Sequence, residues 1–244
     1  MREDIKSFLT KVRKPGRYTG GETGSVYKNK DEMALRVAFC FPDTYEIGMS
    51  NLGLRILCGV FNSLDRVWCE RVFAPWTDME EEMRSHGVPL YAQESGDELK
   101  AFDIVAFTLQ YELCYTTALN MLDLAGIPLR SEDRGEEYPV ILAGGPCSYN
   151  PEPVADFIDI FSIGEGEEAL RDLAELYISM KDSGEYTKKE FLRRASHLEG
   201  FYVPSLYDVS YNDDGTVKAI EPKYPDVPKK IRKRIISDLD SVYV

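Results

Sequence analysis

Two carboxylates and a phenol stand within four residues of one another in Phe41-Pro42-Asp43-Thr44-Tyr45-Glu46-Ile47-Gly48-Met49-Ser50. A pair such as Asp43 and Glu46 can divide acid and base roles when the two environments differ. In an open loop such carboxylates more often stay solvated. Thr108-Leu109-Gln110-Tyr111-Glu112 adds a hydroxyl, an amide, a phenol and a third acid. Two further stretches are rich in glycine: Gly144-Gly145-Pro146-Cys147 and Gly164-Glu165-Gly166-Glu167-Glu168. Glycine lets backbone approach a ligand closely and adopt positive φ. A glycine-rich loop that opens a helix also presents free N–H groups. Glu165, Glu167 and Glu168 would repel a phosphate there. They reach a hydroxyl or amide of a ligand, or they complement the helix dipole. Tyr45 and Tyr111 suit a planar ligand or the rim of a protein interface. Cys147 is a conceivable nucleophile, but neither histidine lies near it in sequence, and an inert structural thiol is the commoner state.

These residues cluster because each follows an apolar run. Leu35–Phe41, Val67–Phe73, Ile104–Leu109, Val140–Ala143 and Ile158–Ile163 read as buried strands. Between them lie helical patterns at Asn51–Phe61, at Thr77 to about Ser85, at Glu112–Ala125 stopped by Gly126, at Gly166–Lys181 and at Lys188–His197. Thr77-x-x-Glu80 has the form of a capping box. Strands that are apolar throughout and alternate with helices imply a parallel sheet covered on both faces. The expectation is a doubly wound α/β fold with five parallel strands in flavodoxin-like order, residues 34–199. Its strand-end loops would then share one rim. Residues 1–33 read as an irregular arm, with a short helix at Ile5–Leu9 and an edge strand near Val26–Tyr27. Residues 200–244 read as a small β appendage and linker. Its strands are Phe201–Val203, Leu206–Tyr211, Val217–Ile220 and Ile231–Ile236, with a hairpin turn at Asn212-Asp213-Asp214-Gly215.

Composition narrows the function. The chain has 244 residues, 43% of them hydrophobic, and a net charge of −13. This balance belongs to a globular domain. The acidity argues against nucleic acid and against anionic membranes as partners. No apolar run is long enough for a membrane helix, and the start has no secretory core. Five cysteines without a Cys-x-x-Cys pair read as reduced thiols in the cytoplasm. With only His86 and His197, a histidine-rich metal centre is excluded, and both read as solvated or capping side chains.

Gly144-Gly145-Pro146, Pro151-Glu152-Pro153 and Asp159-x-x-x-x-Gly164-Glu165-Gly166-Glu167 together resemble the cobalamin-binding-type domain at the N-terminus of many radical S-adenosylmethionine (radical SAM) proteins. Phe41-Pro42-Asp43-x-Tyr45-Glu46-x-Gly48-Met49-Ser50-x-Leu52-Gly53, Phe73-Ala74-Pro75-Trp76 and Thr108-Leu109-Gln110-Tyr111-Glu112 are similar to a bacterial and archaeal subfamily of such proteins. The resemblance covers about residues 15–240. It implies ligand contacts from Asp43, Tyr45, Glu46, Gly48, Thr108, Gln110, Tyr111, Glu112, Gly144, Gly145, Pro146, Gly164, Glu165, Gly166 and Glu167. It implies cobalamin as the ligand, with a departure: Tyr45 stands where the cobalt-ligating histidine of the family would be. A neutral phenol is a poor substitute for imidazole, so any cobalamin would bind without that ligand. The family's Cys-x-x-x-Cys-x-x-Cys cluster site is absent from the chain. The iron–sulfur cluster and S-adenosylmethionine are therefore expected in a following barrel domain, the main partner, and catalysis is not expected of this chain alone. The full-length protein would then be a radical SAM enzyme. Apolar surface shaped for the barrel would also favour a homodimer. The alternative is a self-contained interaction module with an acidic rim.

Overall fold

A computed structural model describes residues 2–238 and 240. The expected appendage residues 239 and 241–244 lie outside the described residues. The elements run β1 (Leu35–Phe41), α1 (Tyr45–Ser50), α2 (Leu52–Asn62), β2 (Val67–Phe73), α3 (Thr77–His86), β3 (Ile104–Thr108), α4 (Cys114–Leu124), β4 (Val140–Gly144), β5 (Ile160–Ser162), α5 (Gly166–Ser183), α6 (Lys188–Ala195) and β6 (Phe201–Tyr202). A separate hairpin follows, β7 (Tyr207–Tyr211) and β8 (Val217–Pro222).

The main sheet has the order β2-β1-β3-β4-β5-β6. Its first five strands are parallel and reproduce the flavodoxin-like order. The sixth, β6, is antiparallel to β5, so Phe201–Tyr202 extends the main sheet instead of joining the hairpin. Two residues suffice because Phe201 is buried and Tyr202 stacks on Phe161. All residues of β1 and β3 are buried, as expected for strands covered on both faces. On one face α2 packs against α5. Elsewhere α3 and α4 are joined by Asn120 to Glu80 at 2.9 Å and Arg84 to Asp123 at 2.8 Å.

Local chemistry explains where the elements depart from the expected ones. The stretch after Asp43 is helical, not a loop: α1 forms there, and Asn51 then caps α2 by accepting from Leu54 N–H at 2.8 Å. Thr77 does not cap α3. Trp76 occupies the cap position, and the Asp78 carboxylate instead accepts the N–H of Met79 and, from the arm, that of Arg13. The expected Ile5–Leu9 helix is two 3-10 turns, Asp4–Ser7 and Leu9–Lys11. Ile5 and Phe8 are fully buried, so apolar anchoring, not helix propensity, holds the arm. The Val26–Tyr27 edge strand is absent; the Val26 carbonyl accepts from Trp68 Nε1 at 3.0 Å. Ile231–Ile236 makes one parallel bridge, Gly164 to Arg234, instead of a strand.

Asp159, at the start of β5, anchors a buried charge cluster. Its carboxylate accepts from the Arg134 guanidinium at 2.8 Å, from Ile141 N–H at 2.7 Å and from the Ser131 hydroxyl. Lys188 Nζ lies 3.7 Å away. All five cysteines are reduced and buried. His86 ends α3, stacks on Phe8 at 4.6 Å and sits against the Glu82 carbonyl. His197 lies 3.6 Å from Asp226.

Candidate functional site

In a doubly wound sheet the strand order reverses once, and loops diverge there to leave a crevice at the carboxyl ends. Here the reversal falls between β1 and β3. A cavity of about 160 Å³ opens there. Its floor comes from the middle and carboxyl ends of β1, β3, β4 and β5: Phe39, Ala106, Phe107, Thr108, Leu142, Gly144 and Ser162. Gly53 and Leu57 of α2 and Gly166 and Leu170 of α5 form one wall. Gly166 belongs at that wall for a steric reason: a Cβ there would lie 3.1 Å from Leu57. Gly145 holds φ +92°, and a Cβ would meet the Leu109 carbonyl at 2.8 Å.

Six of the sequence-derived residues line this crevice: Thr108, Gln110, Gly144, Gly145, Gly164 and Gly166. The polar groups on offer are the Thr108 hydroxyl, which accepts from Gln110 Nε2, the rest of that amide, and Ser162. The cavity is smaller than the ~300–1,000 Å³ that encloses a drug-sized molecule. It suits a small group or the end of a larger molecule. Sequence reasoning missed Ser162, Gly53, Leu57 and Leu170. Gly53, Leu57 and Leu170 carry no chemical signature, and the packing of α2 on α5 brings them together; Ser162 is a lone hydroxyl inside an apolar strand.

The other nominated side chains are engaged elsewhere. Asp43 accepts the Tyr111 hydroxyl at 2.7 Å and closes one side of the rim. That hydrogen bond to a carboxylate pushes the Tyr111 phenol up to about 12. Glu165 accepts from Ile236 N–H, and Glu168 pairs with Arg234 at 2.8 Å. Gly48 is a packing glycine, since a Cβ would lie 2.3 Å from the Phe73 ring. Glu112 and Pro146 are exposed at the rim, and Glu167 sits in the first turn of α5, favourable for the helix dipole. Cys147 is buried beneath the rim.

Tyr45 packs edge-on against Phe73, with ring centroids 5.4 Å apart. Burial first, and then contact with Glu22 of the arm, raise its pKa. It is not part of the crevice wall. The position that would hold the cobalt-ligating imidazole therefore faces the arm, and the residues present do not fit cobalamin held by that ligand. Among the described residues no group of three or more His, Cys, Asp and Glu side chains could hold a metal ion.

Glu46 fastens the arm. Its Oε1 accepts from Lys14 at 2.9 Å and from Arg17 at 2.9 Å. The two hydrogen-bonded cations hold the carboxyl at about 2, below its usual 4.5. A depressed carboxyl pKa adds stability above the unfolded value, and that stability is lost as pH falls through the folded value. Solvent screens this exposed cluster, so the effect is small and local. Amide protection factors across residues 14–18 should therefore fall between pH 5 and pH 2.5, and Glu46→Gln should show the low-pH value at both.

Among the described residues no helix is long and apolar enough to cross a membrane. The comparisons with known proteins agree with the geometry. The chain is 30% identical over 137 residues to an uncharacterised protein of Methanocaldococcus jannaschii. That match covers 56% of this chain and 25% of the relative, so the chain spans about a quarter of the relative's length. Residues 53–204, which hold β2 to β6 and most of the crevice, match the family described as radical SAM proteins, N-terminal. This chain belongs to that family of N-terminal domains of radical SAM proteins.

Proposed function

We propose that this domain holds a small ligand, or one end of a substrate, in the β1/β3 crevice and presents it to the radical SAM barrel of the full-length protein. The observation that carries this reading is the placement of the crevice. It runs from the β1/β3 reversal along the ends of β3, β4 and β5, and six of the residues nominated from the sequence line it. Exposed apolar side chains accompany the acids near its mouth. Leu52 and Tyr111 adjoin the lining residues Gly53 and Gln110 in sequence and are exposed, as is Leu113 at 84%. Exposed apolar surface grouped around a cavity suits a docking face. Of the nearby carboxylates, Glu46 is held by Lys14 and Arg17, whereas Asp43 accepts a phenol O–H and Glu165 a backbone N–H, neutral donors that cancel no charge. The iron–sulfur cluster and S-adenosylmethionine would belong to the barrel, and the chemistry with them. This domain would bind and orient.

A ligand-observed NMR screen of small polar molecules against the native chain tests the reading. Gly144→Val is the blocking variant, because a Cβ at Gly144 meets nothing closer than 3.8 Å and the added methyl groups enter the crevice. Ligands that bind the native chain and are lost from Gly144→Val support it. A screen without hits, or hits indifferent to the variant, overturns it. Hydroxocobalamin provides a separate control. Tyr45→His should leave its visible spectrum unchanged, because the new ring would sit against Phe73 and Glu22. An imidazole-ligated spectrum would show that the loop can turn that side chain into the site.

A further inference from the structure

The sequence Lys229-Lys230-Ile231-Arg232-Lys233-Arg234 holds five cations in six residues. The whole chain carries −13, so without these five it would carry −18. The structure spends several devices on seating this segment at the carboxyl end of β5. Arg234 N–H donates to the Ile163 carbonyl at 2.9 Å, and its own carbonyl accepts from Glu165 N–H at 3.1 Å. Gly164 holds φ +106°, and a Cβ there would lie 2.3 Å from the Arg234 carbonyl oxygen. Upstream, the Tyr207 hydroxyl donates to the Pro228 carbonyl at 2.7 Å and Val227 is buried.

Only Arg234 is spent on the fold, held by Glu168, Asp172 and Glu199. Arg232 reaches Glu199 at no less than 4.0 Å and is 87% exposed. Lys229, Lys230 and Lys233 are exposed and make no ion pair among the described residues, in a chain with a large excess of carboxylates. Tyr149 is brought to the same strand end. Its neighbour Ser148 donates to the Ser162 carbonyl at 2.9 Å, one residue before Ile163 takes up Arg234. Tyr149 is 59% exposed and has no aromatic partner among the described residues.

We propose that Lys229, Lys230, Arg232 and Lys233 form a binding strip for the phosphodiester backbone of a single-stranded nucleic acid, with Tyr149 as the stacking face beside it. Three cations without an ion pair among the described residues, and a fourth, Arg232, held only at 4.0 Å by Glu199, on a fixed strap next to an exposed aromatic ring are the elements of single-strand recognition. A duplex hides its base faces and offers the ring nothing to stack on. Net charge alone argues against such a partner, but the distribution of charge sets the local footprint. The strip is independent of the crevice and of its ligand.

Fluorescence polarisation with labelled twelve-nucleotide oligouridine RNA and the matching oligothymidine DNA, on the full 244-residue chain, tests this. Three to four phosphate contacts on a single strand predict a roughly 20- to 50-fold loss of affinity between 50 and 200 mM salt. The triple variant Lys229→Glu, Lys230→Glu, Lys233→Glu should abolish binding; its sites are exposed, and an unchanged circular dichroism spectrum verifies the fold. Tyr149→Ala should weaken binding about 10-fold with the salt slope unchanged. Preference between the two oligonucleotides identifies the source. Gly144→Val should bind as the native chain does, which separates this surface from the crevice. Absence of native binding at 50 mM salt, equal binding by the triple variant, or binding to phosphatidylserine vesicles in place of oligonucleotide would each overturn the proposal.

Discussion

Asp159→Ala should cost about 3–5 kcal/mol of folding stability, the largest effect expected of a single substitution outside the apolar core. The Arg134 side chain is fully buried and that of Lys188 nearly so. Among the described residues both form their ion pair with this one carboxylate. Removing it leaves two buried cations with backbone carbonyls but no counter-charge, and it orphans the Ile141 N–H that Asp159 accepts. Domains of this kind have about 5–15 kcal/mol in hand, so the variant sits near the edge of stability. Urea unfolding should show a lower midpoint with an unchanged slope. Asp159→Asn, which keeps the shape and one acceptor, should lose less. Arg134→Met should be harmful in the native background and much less so alongside Asp159→Ala, because it deletes the stranded charge. A native-like midpoint for Asp159→Ala would show that the cluster contributes nothing net. The same aspartate heads the Asp159-x-x-x-x-Gly164-Glu165-Gly166-Glu167 motif. Its place in that motif is explained by this buried anchoring, at the opposite end of β5 from the crevice.

Gly164→Val should release the 227–238 segment and lower the melting temperature by about 6–12 °C. Two costs act together. A φ of +106° strains a β-branched residue by ~1–3 kcal/mol, and the new side chain occupies the space of the Arg234 backbone. A combined cost of ~3 kcal/mol converts to that temperature shift for a domain of this size. The segment offers the cheaper way out of the clash. Its backbone bridge, the Arg234 ion pairs and the Ile236 contact would open together. Trypsin should then cleave at Lys229–Lys233 faster than in the native chain, while the central sheet keeps its amide protection. Global unfolding without accelerated cleavage at these sites would mean that the strap is integral to the sheet and cannot detach.

Much of this fold was legible as pattern. Strands β1, β3 and β4 are buried on both faces, so each appears in the sequence as an apolar run that needs no partner to be recognised. Gly126 and Gly184, the C-terminal glycines of α4 and α5, take the positive φ that residue type suggests. The sixth strand was not legible as part of the sheet, because two residues carry no periodicity. Its assignment depends on Phe161 and Tyr202 meeting across β5. The capping box at Thr77 failed for a related reason. The motif names a local option, and Asp78, tied to Arg13 from 65 residues away, offered a competing one.

The same division runs through the site. Residue type and loop position pointed to the glycines and to Thr108 and Gln110, because open parallel sheets leave their strand ends as the ligand rim, and the family resemblance implied the same residues. Fold class, strand order and that rim follow from patterns local to each segment, since backbone propensity and burial act over a few residues. Partnership does not. Glu46 belongs to the arm, Asp43 to Tyr111, Glu165 to Ile236, and Tyr45 to Phe73. Each pairing joins groups far apart in the chain, and an unpaired sequence of acids cannot say which cation or donor will reach it. The free cations of 229–233 are the converse case. Their charge is plain in the sequence, but only the close approach of Gly164 to Arg234 seats them beside β5, and only the packing around them leaves Lys229, Lys230 and Lys233 without an ion pair among the described residues.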